Sequence, residues 1–258
     1  MFRTKKTIQD ADLDFLYRCD NEDLKLLSDF ILIGNKPTWL EKYIHREGNV
    51  RWSQKLTDKE IYKKNYPNNM KELVPELIKQ LQLYGGNSVL NLFRDKGVRY
   101  REILIKVAKA QKVNFNPSQP TNLIELFLLQ KILRTAIEKM NPEDVLHYSN
   151  NISQKVLLNN MGILNAGNPL FLKLTMIAVQ QLAEKNGLKI AGGFIAKFVG
   201  SRWYAALTGP VGWSLSVAWS IFDMLGPAYR IMFPAVVTIA YMRIKADQTD
   251  ETLNSLLS

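Results

Sequence analysis

"LTGPVGWSLSVAWSIFDMLGPAYRIMFPAVVTIAYMRIK", residues 207–245, decides the fold class, because it reads either as membrane spans or as packed helices. Gly209-Pro210 and Gly226-Pro227 each stop one helix and start another, with proline at the first helical position, where no N–H is needed. Between the two breaks, "VGWSLSVAWSIFDM" has 14 residues, which is about 21 Å of helix at ~1.5 Å per residue. A span needs about 20 apolar residues to cross a hydrocarbon core of ~30 Å. The second arm has only 12 uncharged residues between Arg230 and Arg243, and Pro234 inside it is expected to kink the helix. Neither arm spans alone, so the stretch reads as a short helical hairpin.

Along the first arm Gly212, Ser216, Ser220 and Asp223 fall on one narrow stripe, while Trp213 and Trp219 belong to the apolar remainder. Small residues on a stripe let another helix backbone approach closely. Asp223 stands at the helix C-terminus, where the dipole disfavours an acid, so a cationic partner is expected; Arg230, across the Gly-Pro corner, is the candidate. Pro210, Gly212, Trp213, Ser216, Trp219, Ser220, Asp223, Pro227, Tyr229 and Arg230 form the candidate membrane or partner hairpin. Two fates compete for it: burial in a protein core, or contact with lipid, with the tryptophans at headgroup level.

Outward from the hairpin, the chain reads as helix after helix. In "DADLDFLYRCDNEDLKLLSDFIL", Leu13, Leu16, Leu24, Leu27 and Ile31 lie near helical spacing, with Asp10 or Asp12 as N-cap and the Asp20–Asp23 run capping a second helix. Gly34 is a natural C-cap, and "NYPNN" at 65–69 is a break. Leu73, Leu77, Leu81 and Tyr84 share one face, ended by Gly85-Gly86, and Asn87 or Ser88 starts the next helix. Ile103, Val107 and Ala110 face together in "RYREILIKVAKAQKV". After "NFNPSQP", an apolar amphipathic helix begins at Thr121 or Asn122, and another opens with Pro142 at its first position. The expected architecture is all-α: a multi-helix bundle with a hydrophobic C-terminal helical hairpin. Composition divides it into an N-terminal module (1–66), a basic central region (67–150) and a Gly/Trp-rich C-terminal region (151–258).

The formal net charge of +10 is unevenly placed. Residues 9–29 carry seven acids against Arg18 and Lys25, whereas residues 36–112 carry seventeen Lys/Arg against eight Asp/Glu. The acidic start and basic middle either attract each other within the molecule, or the basic face meets phosphate from outside. Arg99, Arg101, Lys106, Lys109 and Lys112 are the candidate anion-binding surface. Cations interleave with aromatics at Arg51-Trp52 and Arg99-Tyr100-Arg101, which keeps nucleic acid as an alternative partner, although no reader motif accompanies them.

Catalytic signatures are missing. His45 and His147 lack cysteine or carboxylate neighbours at metal-ligand spacing, so no metal or cofactor is expected. Cys19 lies among acids, which raise a thiol pKa and argue against a nucleophile. "YGGNS" lacks the lysine of a phosphate-cradling loop, and neither "GNSV" nor "VGSRW" is a nucleophile elbow. The single cysteine suits a reducing compartment, and the N-terminus has no apolar run, so the expected location is cytoplasmic, with peripheral contact at the inner face of the membrane.

Three segments resemble one family. "DADLDFLYRCDNEDLKLL" is similar to the short acidic N-terminal domain of the YaaW-like proteins of bacteria, "LQLYGGNSVLNLFRDKGVRYREILIKVAKAQKV" to their central segment, and "GPVGWSLSVAWSIFDMLGPAYRIMFPAVVTIAYMRIK" to their C-terminal block. The family has no established activity, and its middle is distantly tied to ubiquinol-cytochrome c chaperone proteins, which are helical assembly factors. The resemblance therefore implies a helical, non-catalytic protein and supplies no catalytic residues. The expected function is an interaction protein that meets an unidentified protein partner or an anionic membrane surface. A soluble assembly chaperone with the hairpin in its core is the alternative.

Overall fold

The computed structural model describes residues 8–33, 56–57, 59–85, 97–148, 152–160, 165–186, 188 and 227–257. Twelve consecutive residues of the last stretch, Ile231–Met242, are all buried. An amphipathic helix buries one stripe; a helix buried on every side is enclosed by others. These residues belong to a long helix, Pro227–Leu257, with Pro227 at its first position as the Gly-Pro break predicts.

Every regular element among the described residues is helical. In chain order the α-helices are α1 (Asn21–Ile33), α2 (Glu60–Asn65), α3 (Val74–Gly85), α4 (Tyr100–Ala110), α5 (Thr121–Lys139), α6 (Pro142–Tyr148), α7 (Gln154–Asn159), α8 (Pro169–Lys185) and α9 (Pro227–Leu257). Two 3-10 helices, Ala11–Arg18 and Met70–Leu73, precede α1 and α3. Helix α9 packs against α1, α3, α4, α5, α8 and the first 3-10 helix, which makes it the central strut of the bundle. One apolar cluster runs from Leu13 to Ile244, drawing on the N-terminal, central and C-terminal stretches alike.

Local sequence accounts for most of the boundaries. Asp20 caps α1, its Oδ1 accepting the Asp23 N–H at 2.9 Å. Ser153 caps α7 and Asn168 caps α8 in the same way. Helix α5 begins at Thr121, and α6 opens on Pro142. The apolar positions expected to face inward do so: Leu13, Leu16, Leu24, Leu27, Ile31, Leu73, Leu77, Leu81, Tyr84, Ile103 and Val107 are buried, while Ala110 is half-buried.

Pro234 lies inside α9, which runs on through it, and Ile231, Met232 and Phe233 before it and Ala235, Val236 and Val237 after it are all buried. That packing outweighs the backbone hydrogen bond that proline removes. Asp10 stands at the N-cap of the first 3-10 helix but makes no cap bond there. Its Oδ2 instead accepts the Tyr100 N–H at 2.6 Å, so it caps α4, 90 residues away.

The described half of the hairpin is core. Its first arm, with Pro210, Gly212, Trp213, Ser216, Trp219, Ser220 and Asp223, lies outside the described residues, as do Gly34, Asn87 and Ser88. The Asp223–Arg230 pairing falls there too. Among the described residues, no helix is long and apolar enough to cross a membrane.

Candidate functional site: a charged clasp on the central helix

Glu125 is the one charged residue in the first ten of α5, and it is 2% exposed. A carboxylate buried in that way requires a partner. The partner comes from α9: Arg243 Nε donates to Glu125 Oε2 at 2.6 Å and Nη2 to Oε1 at 3.2 Å, a fork that matches the carboxylate plane. The Tyr100 hydroxyl donates to Oε1 at 2.6 Å, and Arg243 Nη2 also donates to the Asp12 carbonyl at 2.6 Å. The guanidinium lies over the Phe15 ring, 4.1 Å from its centroid. One arginine thus joins α9 to α5, to α4 through Tyr100 and Glu125, and to the N-terminal 3-10 helix.

Two residues on, Lys245 makes a second connection. Its Nζ reaches Asp20 Oδ2 at 2.5 Å and Asp23 Oδ2 at 2.7 Å. Two acids from the start of the chain, Asp20 and Asp23, are thus held by a cation of the last helix. Lys25 takes Asp29 at 2.6 Å along α1, and the Tyr66 hydroxyl donates to the other oxygen of Asp29 at 2.9 Å. Gln82 adds an uncharged clamp, receiving the Ile8 N–H at 2.9 Å and donating to the Ile8 carbonyl at 2.7 Å.

Burial sets the acid-base character of these groups. It raises the Glu125 carboxyl above the ordinary carboxylate range, with Arg243 and the Tyr100 hydroxyl opposing it. It drives the Tyr100 phenol well above its usual value, reinforced by the adjacent Glu125 charge. The Cys19 thiol is pushed up to about 12 by burial first, then by Asp23 and Asp20, which bears out its reading as an inert thiol. Glu125, Tyr100 and Cys19 are buried, and the first two link α5, α4 and α9.

A polar cleft of about 550 Å³ lies beside the Arg243 connection, lined by Asp12, Arg101, Pro120, Thr121, Asn122, Arg243 and Asp247. A groove of about 850 Å³ runs along α2, lined by Ile61 and mostly charged or amide side chains, including Lys63, Lys64, Glu60 and Glu72. Among the described residues, no group of three or more His, Cys, Asp and Glu side chains is placed to hold a metal ion.

The candidate cations divide into two sets. Arg99, Lys109 and Lys112 are exposed. Arg101 and Lys106 are half-buried: Arg101 donates to Thr121 Oγ1 at 2.9 Å and to the carbonyls of Pro117 and Gln119, and Lys106 donates to the Gly85 carbonyl at 3.0 Å. Tyr229 is half-buried and packs against the core, and Pro227 opens α9. Glu125, Arg243 and Lys245 are not among the candidate site residues of the sequence, and Tyr100 enters there only between Arg99 and Arg101, as part of the alternative nucleic-acid surface. The available signal was a lone acid in the apolar run "NLIELFLLQ".

No protein-family model matches the chain, and no solved structure matches it. Related sequences do. A UPF0174 protein of Helicobacter pylori strain J99 is 32% identical over 259 aligned residues, which cover 96% of each chain. A UPF0174 protein of H. pylori strain 26695 is 30% identical across 75% of this chain and 98% of its own. The UPF0174 protein YaaW of Escherichia coli K12 is 30% identical across 92% of this chain and 94% of its own. Those names state no activity, substrate or partner. Likeness at this level across nearly the whole length, with the same three segments pointing the same way, means that the chain belongs to the UPF0174 family.

Proposed function

We propose that the protein is a non-catalytic interaction protein that docks on an anionic membrane surface through exposed cations of its basic middle. The observation that carries this reading is where the acids go. Asp20 and Asp23 are bound by Lys245, Asp29 by Lys25 and Tyr66, and Glu125 by Arg243, all inside the molecule. These acids are bound within the molecule, and the cations Arg99, Lys109 and Lys112 are exposed at the surface around α4. Lys63 and Lys64 on α2 are exposed as well. Each lysine or arginine near an anionic leaflet contributes about 1 kcal/mol, so three together give roughly 3 kcal/mol, or about 100-fold in partitioning. The uncharged tryptophan-bearing segment 203–222 is the apolar element that would follow them into the headgroup layer.

Flotation tests this directly. The protein is mixed with phosphatidylglycerol/phosphatidylcholine vesicles at low salt and then at 1 M salt, where the screening length falls to about 3 Å. Co-flotation at low salt is expected, together with its loss on pure phosphatidylcholine vesicles and in the Arg99→Glu, Lys109→Glu, Lys112→Glu variant. Binding that survives 1 M salt would assign the contact to the tryptophan segment in place of the cations. Absence of co-flotation with anionic vesicles at low salt would end the proposal.

A further inference from the structure

We propose that Asp20, Asp23 and Lys245 form a proton-binding clasp between the acidic N-terminal segment and α9, with Asp23 as the group that takes up the proton as the surroundings acidify. Two carboxylates share one ammonium, so the cluster carries one excess negative charge when all three groups are ionised. Asp23 is 2% exposed, its Oδ2 is bound to Lys245, and its Oδ1 is buried without any hydrogen-bond partner. An ionised oxygen in that position has lost its water and gained nothing in return. A proton on Oδ1 removes the excess charge at the place where it costs most. Lys245 then keeps Asp20 as counter-ion at 2.5 Å, so the connection to α9 persists in both states.

The surroundings of Asp23 favour this assignment. From α9 it is faced by Lys245 and, more remotely, by the Tyr241 phenol. From the link before α1 it is faced by Asp20 and the Cys19 thiol. The Met70–Leu73 turn meets this end of α1 through an amide and not a charge: Asn21 accepts the Met70 N–H and donates to the Pro67 carbonyl, both at 2.7 Å. Burial pushes the Asp23 carboxyl up to about 7, with Lys245 opposing and Asp20 assisting. Asp20 shows the opposite direction. Partial burial raises it, but the hydrogen bonds from Lys245 and the Asp23 N–H outweigh that and hold it below the ordinary range. Two carboxylates on one lysine are thereby driven apart, and the inner one titrates near neutrality.

The sign follows from linkage. The folded value for Asp23 lies above the unfolded one near 3.8, so the stability it contributes is fully present below pH ~4 and is lost as the pH rises through 7. In that window one bound proton changes the unfolding constant by up to tenfold per pH unit. The experiment is guanidinium unfolding of the full chain from pH 5 to 8.5, for the wild type and for Asp23→Asn. The wild-type unfolding constant, relative to the variant, is expected to rise by up to 100-fold between pH 5 and 7 and to level off above pH 8. Equal pH slopes in the two proteins, or a slope of opposite sign, would overturn the proposal. Carbon-13 NMR of carboxyl-labelled aspartate in the wild type decides the matter without any variant. An aspartate carboxyl with a midpoint between 6 and 8 supports the clasp, and no aspartate titrating above pH 6 overturns it.

Discussion

Replacing Arg243 by methionine removes the guanidinium while keeping a side chain long enough to cover Phe15. What remains is a Glu125 carboxylate, 2% exposed, with the Tyr100 hydroxyl as its partner. Breaking one side of a buried ion pair costs about 3–5 kcal/mol. The charge part has a ceiling, because Glu125 escapes by binding a proton. From an ordinary value of 4.5 to pH 7 is about 2.5 units, which at ~1.36 kcal/mol each makes roughly 3.4 kcal/mol. At pH 5 the same step costs about 0.7 kcal/mol. Burial already raises Glu125 in the wild type against the pull of Arg243, and losing Arg243 raises it further. The folded variant therefore holds a proton that the unfolded chain releases above about pH 4.5, and its deficit grows as the pH rises. Guanidinium unfolding followed by helical circular dichroism at pH 5 and pH 7 measures both quantities. Adding Glu125→Gln to Arg243→Met should recover most of the loss at pH 7, because glutamine carries no charge and still accepts from Tyr100. A loss below about 1 kcal/mol at pH 7, or a loss that is the same at pH 5, would refute the assignment of Arg243 as the counter-charge of Glu125.

Asp10→Ala should cost about 1 kcal/mol by leaving the first N–H of α4 without its acceptor, and Asp10→Asn should retain most of that; thermal melting of the pair checks it, and equal losses would place the effect elsewhere. Gly85→Ala would set a Cβ onto Ile103 Cγ1 and 2.6 Å from Ile103 Cδ1, an overpacking cost of about 1–3 kcal/mol. The double variant Gly85→Ala, Ile103→Ala should lose less than the sum of its parts, so strict additivity in denaturant midpoints would exclude that contact. Cys19, 5% exposed and with its thiol pushed up to about 12, should react with a disulfide reagent at pH 8 only as fast as the chain opens; rapid labelling of the native protein would contradict its burial.

The helices were legible because their signals are local. Pro142 and Pro227 at first positions, Asp20 as a cap, and the inward spacing of Leu73, Leu77 and Leu81 need only the chain within a few turns. Pro234 shows what a local rule leaves out: the rule sets the cost of a proline, and the neighbours that enclose α9 on both sides of it come from helices far away in sequence. Asp10 shows the limit most directly, since a residue read as the cap of its own helix caps one 90 positions later. The clasp was not legible at all. Charge counting left two options open, an attraction between the acidic start and the basic middle or a basic face that meets phosphate from outside, and it named no individual partner for the acids. The partners are Arg243 and Lys245, two cations at the end of an apolar run, and only the threading of α9 through the bundle brings them to Glu125, Asp20 and Asp23.

The placement of those two cations also helps a helix buried on every side to find one seat. The buried run Ile231–Met242 has no polar face to mark which way α9 should turn. Arg243 and Lys245 are two positions apart, so they leave the helix roughly 200° from each other. One must meet Glu125 while the other meets Asp20 and Asp23, and those carboxylates sit on different elements. A slip of one residue turns both cations by about 100° and strands a buried carboxylate at each end, at several kcal/mol apiece. Apolar burial thus supplies the drive to enclose α9, and the two charges select its rotation and height. The same pairing fixes Asp20 and Asp23 against the last helix.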